Sequence, residues 1–273
     1  MKKGKVLVLR TCNHNLTSSD GFVWPQSGPV EAPDWNPDPS FDRGLYGLLW
    51  GAGDGDQLNW APYTKWLLVE VDADSIIDLG DKVKFPRGTV VYCGEKQKAI
   101  QYLLDSGADP SRIVGHTIIK PDQQSATVAD YGTAIVGNDA VATSGKYGTS
   151  IAGLYGTAIA GDFGTAFVLG CGRAEVGDYG LAIVGESGTV SAGKKGIIIT
   201  QQWDAKSQRM RVITGYIGES NLEPYKPYRL LNNKFTEVNT ETKRDTSDGS
   251  LFFPSDGGFG WEYIQKSTKK EEK

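Results

Sequence analysis

A chain of 273 residues, 39% hydrophobic and with a formal net charge of −4, is long enough for one to three domains and a sizeable core. The charge is dispersed, which argues against a basic nucleic-acid face, and it is too weakly acidic for a nucleic-acid mimic. Three widely separated cysteines, Cys12, Cys93 and Cys171, fit reduced thiols better than a disulfide framework. The start MKKGKVLVLR has too short an apolar run for a signal peptide, and no stretch reaches the length of a membrane span, so the expected setting is cytoplasmic and without membrane contact.

In chain order, Lys5 to Arg10 has the apolar content of a buried first strand. Residues 11 to 39 are rich in Pro, Asn, Asp and Ser, which predicts loops with a short strand near Phe22 to Trp24. Gly44 to Trp50 is apolar and breaks at the Gly/Asp turn GAGDGD. Lys65 to Asp72 is a strand, and Lys82 to Tyr92 is strand, turn at Pro86-Arg87-Gly88, strand. Glu95 to Leu104 is the one clear helix: Ala99, Ile100, Leu103 and Leu104 share a face, and Gly107 closes it. These elements predict an α+β domain over residues 1–109, followed by a bridge with a strand near Ile113 to Ile119.

Tyr131 to Lys194 is then built of eight uninterrupted octads: YGTAIVGN, DAVATSGK, YGTSIAGL, YGTAIAGD, FGTAFVLG, CGRAEVGD, YGLAIVGE, SGTVSAGK. A fainter one precedes them at Gln123 to Asp130, and KGIIIT follows as a last rung. Eight residues suit one strand and one bend, so the repeat predicts a β-solenoid with two octads per coil over residues 110–200. Gly at positions 2 and 7 brackets each strand, where a bend needs a positive φ or close backbone approach. Period two sorts the strand residues. Either positions 4 and 6 (Ala, then Val or Ala) fill a narrow coil, or Tyr and Ile fill a wider one; the near-constant Ala at position 4 favours the narrow coil. Thr133/Ile135, Thr149/Ile151, Thr157/Ile159 and Thr165/Phe167 then form an outer ladder and a candidate protein-binding surface.

Residues 197–203 and 209–216 flank a turn, and residues 228–238 add a pair of strands around Asn232-Asn233. Together, over 201–238, they predict a β cap for the solenoid end. Residues 239–273 change composition to a polar tail holding the aromatic stretch LFFPSDGGFGWEYI, expected to dock. The fold class is mainly β.

The repeated YGTAIAG resembles the octapeptides of bacterial ice nucleation proteins. More of the chain resembles bacterial and bacteriophage proteins that carry GTATAG-type octads behind a small N-terminal domain. That second resemblance includes LRTCN, GFVWPQSG, VEAPDW, GLYGLLWGAGDG, KVKFPRGTVVYCG and PYRLLNNKFTEV. It implies an architecture and a bacterial or phage setting, not a reaction. Ice-organising faces pair Thr-x-Thr, whereas here the second Thr is usually Ile.

The expected function is therefore a non-enzymatic interaction protein that binds a host protein, with inhibition of that protein as one form of the expectation, self-associates, and uses no cofactor, metal or nucleic acid. An alternative is a ligand- or nucleotide-using enzyme in the Trp-rich N-terminal part, with Arg10, Trp24, Trp50 and Trp60 as a pocket. Arg10 and Glu70 on two strands are similar to an ADP-ribosyltransferase pair, without its flanking motifs. A third alternative is ice binding. His14 and His116 lack metal-ligand spacing with the cysteines.

Overall fold

The computed structural model describes residues 4–41 and 43–238; the expected docking segment of the tail lies outside them. The N-terminal part is a seven-stranded antiparallel sheet. Its strands are β1 (Lys5–Cys12), β2 (Gly28–Glu31), β3 (Leu45–Leu49), β4 (Lys65–Asp72), β5 (Ile77–Asp78), β6 (Val83–Phe85) and β7 (Arg87–Gly94), in the order β2-β7-β4-β1-β3-β6-β5. The two strands around Pro86 do not pair with each other. β6 joins β3 and β5, and β7 joins β4 and β2, so the chain crosses the sheet at Pro86. Phe22 to Trp24 contributes a lone bridge between Thr17 and Val23, not a strand.

Strand alternation gives the sheet two apolar faces. Leu7, Leu9, Trp66 and Leu68 point to α1 (Lys96–Asp105), whose Ala99, Ile100 and Leu103 are buried against them. The helix ends in paired carbonyl caps: Ala108 N–H donates to Leu103 O and Gly107 N–H to Leu104 O, with Gly107 at φ +95°. Val8, Leu67, Val69 and Val71 point the other way, to a cluster with Trp24 and Phe85.

The octads build two parallel sheets that face each other. β8 (Thr117–Lys120), β10 (Thr133–Val136), β12 (Thr149–Ala152), β14 (Thr165–Val168), β16 (Leu181–Val184) and β18 (Ile197–Asp204) form one. β9 (Ala126–Val128), β11 (Val141–Ser144), β13 (Thr157–Ala160), β15 (Arg173–Val176) and β17 (Thr189–Ala192) form the other. Residues 16 apart are paired, as Thr133 with Thr149, so each coil is two octads and the stack has about five turns. The faint leading octad is a true rung, Ala126 pairing with Ala142. β19 (Arg209–Tyr216) extends the first sheet antiparallel to β18. β20 (Tyr228–Leu231) and β21 (Lys234–Glu237) extend the second, turning on Asn232 and Asn233, both at positive φ.

Positions 4 and 6 fill the interior. Ala134, Ala142, Ala158, Ala166, Ala174 and Ala182 are fully buried, so the coil is the narrow one. Where serine replaces these residues, Ser144 and Ser150 hydrogen-bond each other at 2.9 Å, and Ser150 Oγ donates to Ile159 O.

The octad glycines serve close approach. A Cβ on Gly161 would sit 2.8 Å from Gly145 C and Lys146 N of the rung below, and one on Gly164 would sit 2.8 Å from Ala160 Cβ. The left-handed bend falls instead on position 1: Tyr131, Asp139, Tyr147, Tyr155, Phe163, Tyr179 and Ser187 have φ between 53° and 64°.

Leu103→Ala is expected to cost about 2–5 kcal/mol in urea unfolding by opening a cavity beneath α1. Gly161→Ala is expected to cost about 1–3 kcal/mol in the same measurement, because the atoms it meets are backbone and cannot rotate away.

Candidate functional site

Two octads per coil send alternate octads to opposite faces, so the outer ladder expected from the sequence is divided. Thr133/Ile135, Thr149/Ile151 and Thr165/Phe167 lie in adjacent rungs of the first sheet. Thr157/Ile159 lies on the second sheet, between Val141/Thr143 and Arg173/Glu175.

The division makes the two faces chemically different. On the first sheet, position 3 presents Thr117, Thr133, Thr149, Thr165, Leu181 and Ile197, while position 5 presents Ile119, Ile135, Ile151, Phe167, Ile183 and Ile199. β19 carries the strip on through Tyr216 and Thr214. Positions 3 and 5 of this strip hold no charged side chain. At about 4.8 Å per strand its seven strands span about 29 Å. The second sheet carries Thr127, Thr143, Ile159 and Ser191 at position 5, broken by the Arg173–Glu175 ion pair.

A third surface runs along the corner between the sheets. Trp60, Tyr131, Tyr147, Phe163 and Tyr179 stack in one column with ring centroids 4.1–4.9 Å apart and interplanar angles of 2–18°. Lys195 Nζ lies 5.5 Å from the last ring. The sequence shows these aromatics only as position 1 of alternate octads; the 16-residue coil is what stacks them. Trp60 brings the N-terminal sheet onto this column, and Tyr131 O–H donates to Asp56 at 2.6 Å. Burial, then this bond to a carboxylate, pushes the Tyr131 hydroxyl above its ordinary range. GAGDGD is thus the turn that docks the N-terminal part on the stack, with Val114 N–H donating to Gly51 O beside it.

Carboxylates and an amide at position 8 tie the rungs together. Asp130 Oδ1 accepts Lys146 N–H, Asp162 accepts Asp178 N–H, Asp178 accepts Lys194 N–H and Asn138 accepts Leu154 N–H, each at 2.6–2.8 Å. The bond from Tyr225 O–H, then that from Lys194 N–H, holds the Asp178 carboxyl below its ordinary range.

The four expected pocket residues do not converge. Arg10 and Trp24 share one cleft, Trp60 lines a second with Trp66, and Trp50 lines a third with Arg112. Arg10 and Glu70 lie on opposite faces of the sheet, since Arg10 pairs with Leu67 and Glu70 with Leu7, three residues along. The transferase-like pair is therefore not assembled. Burial pushes the Cys12 thiol up to about 11 and raises that of Cys93 as well, which keeps both protonated and poorly nucleophilic. Among the described residues no three His, Cys, Asp or Glu side chains gather as metal ligands, and no helix is long and apolar enough to cross a membrane.

Fold and surfaces define an octapeptide-repeat β-solenoid protein. Its repeat is of the ice-nucleation-protein type. The chain is 42% identical over 111 residues to ice nucleation protein InaU of Pantoea ananas, covering 40% of this chain and 11% of that protein. It is 44% identical over 108 residues to an ice nucleation protein of Pseudomonas fluorescens, 39% of this chain and 9% of that one. It is 40% identical over 113 residues to one from Pseudomonas syringae pv. syringae, 41% and 9% of the two chains. The chain thus spans about a tenth of the length of the curated relatives it matches. No protein-family model matches it, and no solved structure does.

The corner column gives a test of the left-handed bend. Tyr147→Ala loses stacking on two rings, about 0.5–1.5 kcal/mol each beyond area burial. Tyr147→Gly loses the same contacts but relieves about 1–2 kcal/mol of left-handed strain. Urea unfolding is therefore expected to rank Gly above Ala at this site; the reverse order would show that the bend carries no strain.

Proposed function

We propose that this protein is a non-catalytic scaffold whose octad stack presents the Thr/Ile face of the first sheet as its working surface, and that this face joins a second copy of the chain. The observation that carries the reading is one-sidedness. The same octad builds both sheets and fills both with Ala and Val, yet one outer face is free of charge at positions 3 and 5 while the other bears Arg173 and Glu175. A flat, uncharged ladder is self-complementary: Ile rows of two copies interdigitate without stranding a charge. A strip two side chains wide covers less than the roughly 800 Å² per partner of a standard interface, so the association is weak and concentration-dependent.

The similarity to proteins named for ice nucleation favours a second reading, contact with ice. The row Thr117, Thr133, Thr149 and Thr165 repeats at the strand spacing, and the same face would do the work.

Sedimentation velocity over a range of concentrations tests the first reading. The double variant Ile135→Lys/Ile151→Lys is expected to stay folded by circular dichroism and to remain monomeric, while Ile159→Lys on the opposite sheet associates like the parent. Equal behaviour of all three would overturn it. Inhibition of ice recrystallisation by the parent and its loss in Thr149→Lys would favour the second.

A further inference from the structure

Arg10 is a half-buried cation with no ion-pair partner among the described residues. It leaves β1 toward the face opposite α1 and lies 4.1 Å from the Trp24 ring centroid. Its guanidinium donates to Tyr46 O and Ser18 Oγ at 3.3 Å each, and Nε reaches Thr11 O at 3.5 Å, all at the long end of the hydrogen-bond range. Five N–H groups are available on a guanidinium, and these bonds use three. Among the described residues no carboxylate lies within ion-pairing distance of it. The two acids of the surrounding cleft, Asp20 and Asp34, are turned to backbone instead, accepting Phe22 N–H and Gly44 N–H. Burial outweighs the attraction of Asp20 and lowers the Arg10 pKa to about 10.

A partly desolvated guanidinium with unused N–H groups is stabilised by any group that supplies the opposite sign. The cleft beside Arg10 has room for it: about 590 Å³, bounded by Arg10, Ser18, Tyr46, Gln57 and Lys82. Lys82 is a second cation of the same cleft. It is held by Gln57 Oε1 at 3.0 Å and lies 5.0 Å from the Tyr46 ring, with no carboxylate among its described partners. Ser18 Oγ already accepts from Trp24 Nε1 at 2.7 Å and from Arg10, which leaves its own hydrogen to donate. Two cations and a hydroxyl donor thus border one polar cleft, whose two acids, Asp20 and Asp34, are engaged by backbone N–H groups.

We infer that this cleft is a binding site for a small oxyanion, a phosphate or carboxylate group of a ligand, with Arg10 as the directional fork, Ser18 as a neutral donor and Lys82 as the second charge. A guanidinium suits such planar or tetrahedral oxygen sets because its N–H pairs fit two oxygens at once. The site is separate from the solenoid face and does not depend on its role.

The test is calorimetric titration of the full chain, at constant ionic strength, with inorganic phosphate and separately with succinate. Saturable millimolar or tighter binding of either is expected, and the anion that binds more tightly assigns the phosphoryl or carboxylate class. Lys82→Gln, at a half-buried position and with its fold checked by near-ultraviolet circular dichroism, is expected to weaken binding several-fold. Arg10→Gln is expected to weaken it at least tenfold, with its fold checked in the same way. Absence of saturable binding of both anions, or binding unchanged in Lys82→Gln, overturns the assignment. Should Arg10→Gln fail to fold, Lys82→Gln and Ser18→Ala decide the matter alone.

Discussion

The narrowness of the coil governs the solenoid. Two sheets face each other so closely that the interior accepts Ala, Val and Ser, and the corners accept glycine where one rung's backbone lies against the next. A core this thin buries little apolar area per rung. Rung-to-rung bonds supply the rest: main-chain ladders along both sheets, Asp and Asn side chains taking backbone N–H groups at the corners, and rings stacked with centroids 4.8–4.9 Å apart. All three repeat at one spacing, so an error in one rung is felt by its two neighbours and little beyond.

One irregular rung shows how this constraint works. Leu169 stands where the other octads have glycine, and it is 63% exposed because the close approach at that corner leaves no room inward. Tyr155 N–H there donates to Cys171 O, one residue later than the pattern of the other corners. Cys171 lacks the left-handed φ of its counterparts. The chain absorbs the larger side chain by shifting the bend while β14 and β15 keep their register.

The period made much of the fold legible. Octads with Gly and Ala at constant positions dictate strand, bend, interior and coil width, because each follows from steric fit within a few residues. α1 and β4 were legible for the same reason, their apolar patterns being local. What escaped was non-local. Assigning Thr157/Ile159 to the face of Thr149/Ile151 overlooked that two octads per coil place neighbours back to back. Grouping Trp24, Trp50 and Trp60 in one pocket overlooked that a sheet has two sides, and composition does not say which side a loop covers. The docking role of GAGDGD depends on Tyr131, 75 residues from Asp56, and no local pattern carries that distance. A spacing of sixteen between position-1 aromatics was the available signal for the stacked column.

The sixteen-residue coil also limits how such a chain can change its length. Gain or loss of a pair of octads, by slippage between near-identical repeats, adds or removes a whole turn and leaves every later strand on its own side. Gain of one octad moves everything downstream to the reverse side. Thr and Ile rows would be cut in half, aromatics would fall out of their column, and β18 would leave the stack from the wrong sheet, carrying β19 away from its neighbours. Descendants of this gene should therefore differ in repeat number by even counts, a parity rule imposed by geometry on the DNA.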